Sequence, residues 1–87
     1  MNKDILDLIT VIENDSDLEN ISIVFEDGFE IDYSNNCFNL WKYNKSQNRY
    51  EFYGIYDNII EDLLSRDGII EDGNIYKFKW FEYVQTI

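Results

Sequence analysis

The feature that most constrains this fold is a change of apolar period at residue 21. Before it, Ile5, Leu8, Ile9 and Ile12 recur three and four residues apart, with Asp4, Asp7 and Glu13 outside, while Leu6 and Val11 widen the stripe. Such spacing lays one apolar band along a helix, and Asn2 stands where an N-terminal cap belongs. From Ile21 the period falls to two. Ile21, Ile23 and Phe25 alternate with Ser22, Val24 and Glu26, and Phe29, Ile31 and Tyr33 alternate with Glu30 and Asp32. A period of two belongs to strands with one buried face. The chain therefore has to bury a helix against a sheet, with the polar run Asn14 to Asn20 as the loop between them.

Register decides the turns. A two-residue Asp27-Gly28 loop would set Phe25 opposite Glu30 and mix the faces. A three-residue loop, Glu26-Asp27-Gly28, sets Phe25 opposite Phe29 and Ile23 opposite Ile31, with Gly28 in the left-handed position that such a loop requires. The same reasoning favours a two-residue Asn35-Asn36 turn, which aligns Tyr33 with Phe38 and Ile31 with Leu40; Asn tolerates the positive φ involved. A third strand then covers about residues 37–43 and a fourth about 49–55, separated by the polar loop Asn44 to Asn48.

A second helix follows. Asn58 and Glu61 have capping-box spacing, Ile59, Ile60, Leu63 and Leu64 form its inner stripe, and Gly68 is placed to stop it. Ile75 to Val84 reads as a long aromatic strand, paired to a short Ile69-Ile70 strand through Glu71-Asp72-Gly73. Residues 1–87 thus form a single acidic α+β domain of order α-β-β-β-β-α-β. Its expected architecture is an antiparallel meander of four to six strands with both helices on one face. If Phe38 and Leu40 face the helices, Trp41 and Tyr43 face away, beside Glu30, Asp32 and Glu51. Exposed aromatics among charges are typical of binding hot spots, although a second subunit or the C-terminal segment would cover the same face equally well.

Eighty-seven residues form one domain. Such a domain needs a dense core to fold, and thirteen Phe and Tyr, two Trp and many Ile supply it. No apolar run is long enough to span a bilayer, and the N-terminus has no basic region followed by an apolar stretch, so neither a membrane span nor a secretory signal is expected. Cys37 is alone, suits a reducing cytoplasm, and reads as a structural thiol.

Against this core stands a net charge of −11, from 18 acids and 7 bases. The charge is uneven: residues 1–32 hold ten acids and one base, whereas residues 33–50 hold Lys42, Lys45 and Arg49 and no acid. Such a field repels phosphates and anionic lipid and attracts basic surfaces. Direct binding of nucleic acid or membrane is therefore not expected. The aromatic and basic cluster Lys77-Phe78-Lys79-Trp80-Phe81 has the composition of a single-strand stacking platform, but simple alternation makes Phe78 and Trp80 core residues and leaves Lys77 and Lys79 solvated.

Catalytic chemistry finds little support. The chain has no His, which removes the commonest general base, the usual nucleophilic triads and most zinc sites. Its four glycines are scattered and form no phosphate loop. The acidic run from Asp15 has calcium-loop character, yet Asn20 stands where that loop needs glycine and a strand begins at Ile21. No enzyme activity, metal or cofactor is expected.

What remains is dense negative charge on an aromatic-rich fold. The expected function is that of a small acidic protein that inhibits a nucleic-acid-binding protein or nuclease by occupying its basic groove as a DNA mimic. In size, acidity and helix-plus-meander plan the chain is similar to small inhibitors of phage and mobile-element origin, such as anti-CRISPR and anti-restriction proteins; no motif assigns it to a family. Asp15, Asp17, Glu19, Glu26, Asp27, Glu30 and Asp32 would carry the charge, and Trp41 and Tyr43 would anchor it. Two alternatives share the same features. One is an immunity protein or accessory module for a basic partner, and the other is a homo-oligomeric structural domain that uses its outer sheet face.

Overall fold

Asn2 opens the first helix as expected. Its Oδ1 accepts the Asp4 N–H at 2.8 Å, which satisfies one of the donors a helix start leaves unpaired, and α1 runs Lys3–Asn14. The computed structural model describes residues 2–14 and 17–84. Ile5, Leu8 and Ile9 are buried, with Val11 and Ile12 at the margin of the core. Leu6 is 47% exposed, so the stripe is narrower on that side than the sequence suggested.

The strands follow the expected registers. β1 (Ile21–Phe25) and β2 (Phe29–Ser34) pair with Ile23 opposite Ile31. The turn between them spans Glu26–Gly28, with Asp27 at φ 60° and Gly28 at φ 80°. β3 (Cys37–Asn44) pairs Tyr33 with Phe38 and Ile31 with Leu40, through Asn35 and Asn36 at φ 53° and 63°. β4 (Arg49–Ile55) completes the meander. After α2 (Ile59–Arg66), the hairpin of β5 (Gly68–Glu71) and β6 (Asn74–Tyr83) joins the far side of β1. The six antiparallel strands lie in the order β4-β3-β2-β1-β6-β5. The α+β assignment holds, with one strand more than the minimal order.

Both ends of α2 differ from expectation. Asn58 has φ 59° and makes no side-chain cap hydrogen bond. A capping side chain reaches the first free N–H groups from an extended backbone, and the left-handed turn at Asn58 points it elsewhere. At the other end Asp67, not Gly68, is the left-handed residue, and its N–H donates to the Leu63 carbonyl at 3.1 Å. Gly68 instead opens β5. A Cβ there would sit 2.1 Å from the Tyr76 carbonyl oxygen, so glycine is required for close backbone approach. Ile59 and Leu63 form the inner stripe with Ile60 at its margin, whereas Leu64 is half-exposed.

Both helices pack on the same face of the sheet. One continuous core joins Ile5 and Leu8 of α1 and Ile59 and Leu63 of α2 to Ile23, Ile31, Leu40, Ile69 and Phe78. The Phe29 ring meets Tyr53 of β4 at 5.4 Å and Tyr76 of β6 at 4.5 Å. Strands that far apart in the sheet order reach one ring because the sheet curls around it.

One buried polar chain ties α2 to the sheet. Tyr56 Oη donates to Asp62 Oδ2 at 2.5 Å and accepts the Ile70 N–H at 3.0 Å. Arg66 Nη1 donates to Asp62 Oδ1 at 2.9 Å. Burial, and then the hydrogen bond to Asp62, push the Tyr56 phenol well above its ordinary pKa.

Tyr56→Phe removes the shared hydroxyl and strands both the Ile70 N–H and an Asp62 oxygen, so urea unfolding should show a loss of about 1–3 kcal/mol. Gly68→Ala should cost about 2–3 kcal/mol in the same assay, because its Cβ meets backbone. Gly73→Asn, at φ 79° with open space around it, should cost less than about 1 kcal/mol.

Candidate partner-binding face of the sheet

Because both helices pack on one face, the side chains of opposite parity point away from the core. The pairings set them in rows across five strands. One row reads Phe52, Trp41, Glu30, Val24 and Trp80, and the next reads Asn39, Asp32, Ser22 and Glu82. Tyr43 and Tyr50 face each other one step beyond Trp41 and Phe52.

Two irregularities shape this face. In β6, Val24 pairs with Trp80 but Phe25 pairs with Phe78, so Lys79 is an extra residue. A bulge of one residue reverses the parity of everything after it. Phe78 is buried as expected, but Trp80 turns outward and is 45% exposed, contrary to its sequence assignment to the core. In β4, Leu40 pairs with Gly54 and Trp41 with Phe52, leaving Tyr53 as the extra residue. This shift returns Tyr56 to the core. Glu51 also departs from expectation: it pairs with Lys42 on the opposite face from Trp41, and its Oε1 accepts the Asn44 amide at 2.7 Å.

Aromatics flank the carboxylates on both sides. Trp41 and Phe52 meet edge to face at 5.2 Å, as do Tyr43 and Tyr50. Phe52 is 56% exposed, and Trp80 lies on the far side of Glu30. The Trp41 indole N–H is buried and has no acceptor among the described residues. Glu30 Oε1 accepts the Ser22 hydroxyl at 2.6 Å, and Asp32 Oδ1 accepts the Asn39 amide at 3.2 Å. These partners are neutral. Among the described residues the ion pairs are Arg49–Glu51 and Arg66–Asp62, so no cation compensates Glu30, Asp32 or Glu82. Partial burial, then the Glu30 charge and Tyr43, raise the Tyr50 phenol above its ordinary pKa.

Of the residues expected to bind a partner, Glu30, Asp32, Trp41 and Tyr43 come together here. Asp17 and Glu19 lie in the loop before β1 and do not join this face: Tyr83, which pairs opposite buried Ile21 on the core side, donates its Oη to the Asp17 carbonyl at 3.1 Å, and Leu18 between the two acids is buried in the core. Asp15 lies outside the described residues. Glu26 and Asp27 lie at the opposite end of β1, where Glu26 Oε1 accepts the Lys77 N–H at 2.8 Å and fastens the turn to β6. Sequence reasoning missed Phe52, Tyr50, Glu82 and Trp80. The first two follow from the β3–β4 register once Trp41 and Tyr43 are set outward; nothing in the sequence marks the bulge that turns Trp80.

Two of the three bases of residues 33–50, Lys42 and Arg49, take the other face. Lys42 takes inner parity with its ammonium 4.8 Å over the Phe29 ring, and Arg49 pairs opposite Asn44 on that same side. An uncompensated carboxylate beside an indole suits a guanidinium, which pairs with the one and stacks on the other. Among the described residues no cluster of carboxylates or thiols is arranged to hold a metal ion, and no helix is long and apolar enough to cross a membrane. Comparison with protein-family models, with curated proteins and with solved structures gives no match.

Both tryptophans of the chain share this anionic surface. Caesium ions should therefore quench their fluorescence more strongly than iodide at low ionic strength. The difference should shrink in Glu30→Gln/Asp32→Asn, as Stern–Volmer slopes would show.

Proposed function

We infer that the chain is a stoichiometric inhibitor that docks its outer sheet face on the basic surface of a nucleic-acid-binding protein. The observation that carries this reading is the group of uncompensated carboxylates, Glu30, Asp32 and Glu82, in two adjacent rows beside outward-facing aromatics, on a face that neither described helix covers.

A basic groove that normally holds phosphates attracts any surface that offers negative charge at comparable intervals. Glu30 and Asp32 are two residues apart on one strand, so their side chains project about 7 Å apart. Glu82 extends the charge across the sheet. Charge of this kind sets the rate of encounter and the choice of partner more than the affinity. Exposed ion pairs are each worth at most about 1 kcal/mol. Affinity would come from Trp80, Phe52 and Tyr50 as aromatic anchors against arginine side chains and apolar pockets of the partner.

Affinity purification from a native host, with and without nuclease, should return a basic protein that stays bound after nucleic acid is destroyed. Its affinity should fall at least about tenfold between about 50 mM and about 500 mM NaCl. Glu30→Lys/Asp32→Lys should weaken it further, and Trp80→Ala should cost about 2 kcal/mol. Affinity that holds constant across the salt series, or survives the double charge reversal, would refute charge mimicry by this face.

A further inference from the structure

The helix side of the molecule carries a second feature, independent of the outer sheet face. Between α2 and the β2–β3 turn runs a groove of about 870 Å³. Tyr33 and Phe38 form one wall, their rings edge to face at 4.9 Å. Ile60 and Leu64 line the other, and Leu64 is 45% exposed despite its place on the apolar side of α2. Asp57 and Glu61 are the charged residues of the lining, which contains no Lys or Arg. Arg66, the base of α2, is held by Asp62.

From these observations we propose that the groove binds a basic amphipathic peptide segment, with apolar side chains entering between Tyr33, Phe38, Ile60 and Leu64 and cations meeting Asp57 and Glu61. The charge of the lining selects the occupant. An apolar segment without cations would leave the two carboxylates beside a dry interface uncompensated, and a second copy of this chain would bring a further −11. The shape of the site selects a segment of polypeptide over a small molecule. It is an open trough between a helix and a hairpin end, whereas small-molecule sites enclose most of their ligand. A groove walled in this way accepts an amphipathic helix through side chains spaced one turn apart. Tyr33 and Phe38 continue the inner register of Ile31 and Leu40, so a partner on the outer face would leave the groove open. The proposal therefore stands apart from the inhibitor reading.

The test is a titration of ¹⁵N-labelled protein, followed by amide shifts, with three short peptides. The first has Leu at helical spacing and Lys elsewhere, the second replaces Leu by Ser, and the third replaces Lys by Glu. The Leu/Lys peptide should move the amides of Tyr33, Phe38, Ile60 and Leu64 and bind at least about tenfold more tightly than either control. Leu64→Ser and Glu61→Gln alter exposed side chains, should leave the spectrum folded, and should each weaken binding several-fold. Glu30→Lys/Asp32→Lys should leave this titration unchanged, which separates its outcome from that of the outer face. Equal binding of the Ser/Lys peptide would mean charge attraction alone and overturn the proposal. So would binding of the Leu/Glu peptide, shifts confined to the outer face, or sedimentation of the free protein as a dimer joined through these residues.

Discussion

Each of the two helices has one apolar stripe, and the sheet must give both a single continuous apolar face. That constraint sets the rest of the structure. Ile5 and Leu8 from one helix and Ile59 and Leu63 from the other share a core with Ile23, Ile31 and Leu40, so every residue of the other parity is committed to the opposite side. With both helices on the same side, no helix among the described residues covers the outer face. Its composition is then free of the demands of folding, and it holds carboxylates, two indoles and a strand of exposed aromatics in place of the mixed charges of an ordinary solvated surface.

The bulges show how the chain reconciles burial with that surface. Tyr53 is the extra residue that lets β4 present Phe52 outward and still bring Tyr56 inward to meet Asp62 and the Ile70 N–H. Lys79 does the same for β6, keeping Phe78 in the core while turning Trp80 out. In both strands one extra residue lets an aromatic face outward on one side of the bulge and an aromatic enter the core on the other. Bulges also bend and twist a sheet, in keeping with the curl that lets strands from opposite sides reach the Phe29 ring.

Much of this was legible in the sequence where a local rule decided the matter. Asp27-Gly28 and Asn35-Asn36 are residues that accept positive φ, and only one register at each keeps Ile23, Ile31 and Leu40 on a common face. The outward placement of Trp41 and Tyr43 followed from that register. Long-range influences hid the rest. Gly68 looked like a helix stop because its real constraint, the Tyr76 carbonyl, is brought in by a later strand. Asn58 had capping-box spacing but takes a left-handed backbone, from which its side chain makes no cap hydrogen bond. Leu6 and Leu64 match a helical stripe yet remain half-exposed, Leu64 at the edge of the groove between α2 and the β2–β3 turn. Trp80 was out of reach, since a bulge at a lysine has no sequence signature. The charge was visible from composition alone; which carboxylates lack a cation needed coordinates.

On the inhibitor reading the outer sheet face, and not the outside of α1, meets the nucleic-acid-binding partner. Site-specific photo-crosslinking in a native host tests it most directly, with a benzophenone side chain at Val24, in the middle of the face, or at Asp7, on the outside of α1. Val24 should give a covalent product with a basic protein, lost on Glu30→Lys, and Asp7 should give none. A product from Asp7 alone, with Val24 silent, would contradict that reading.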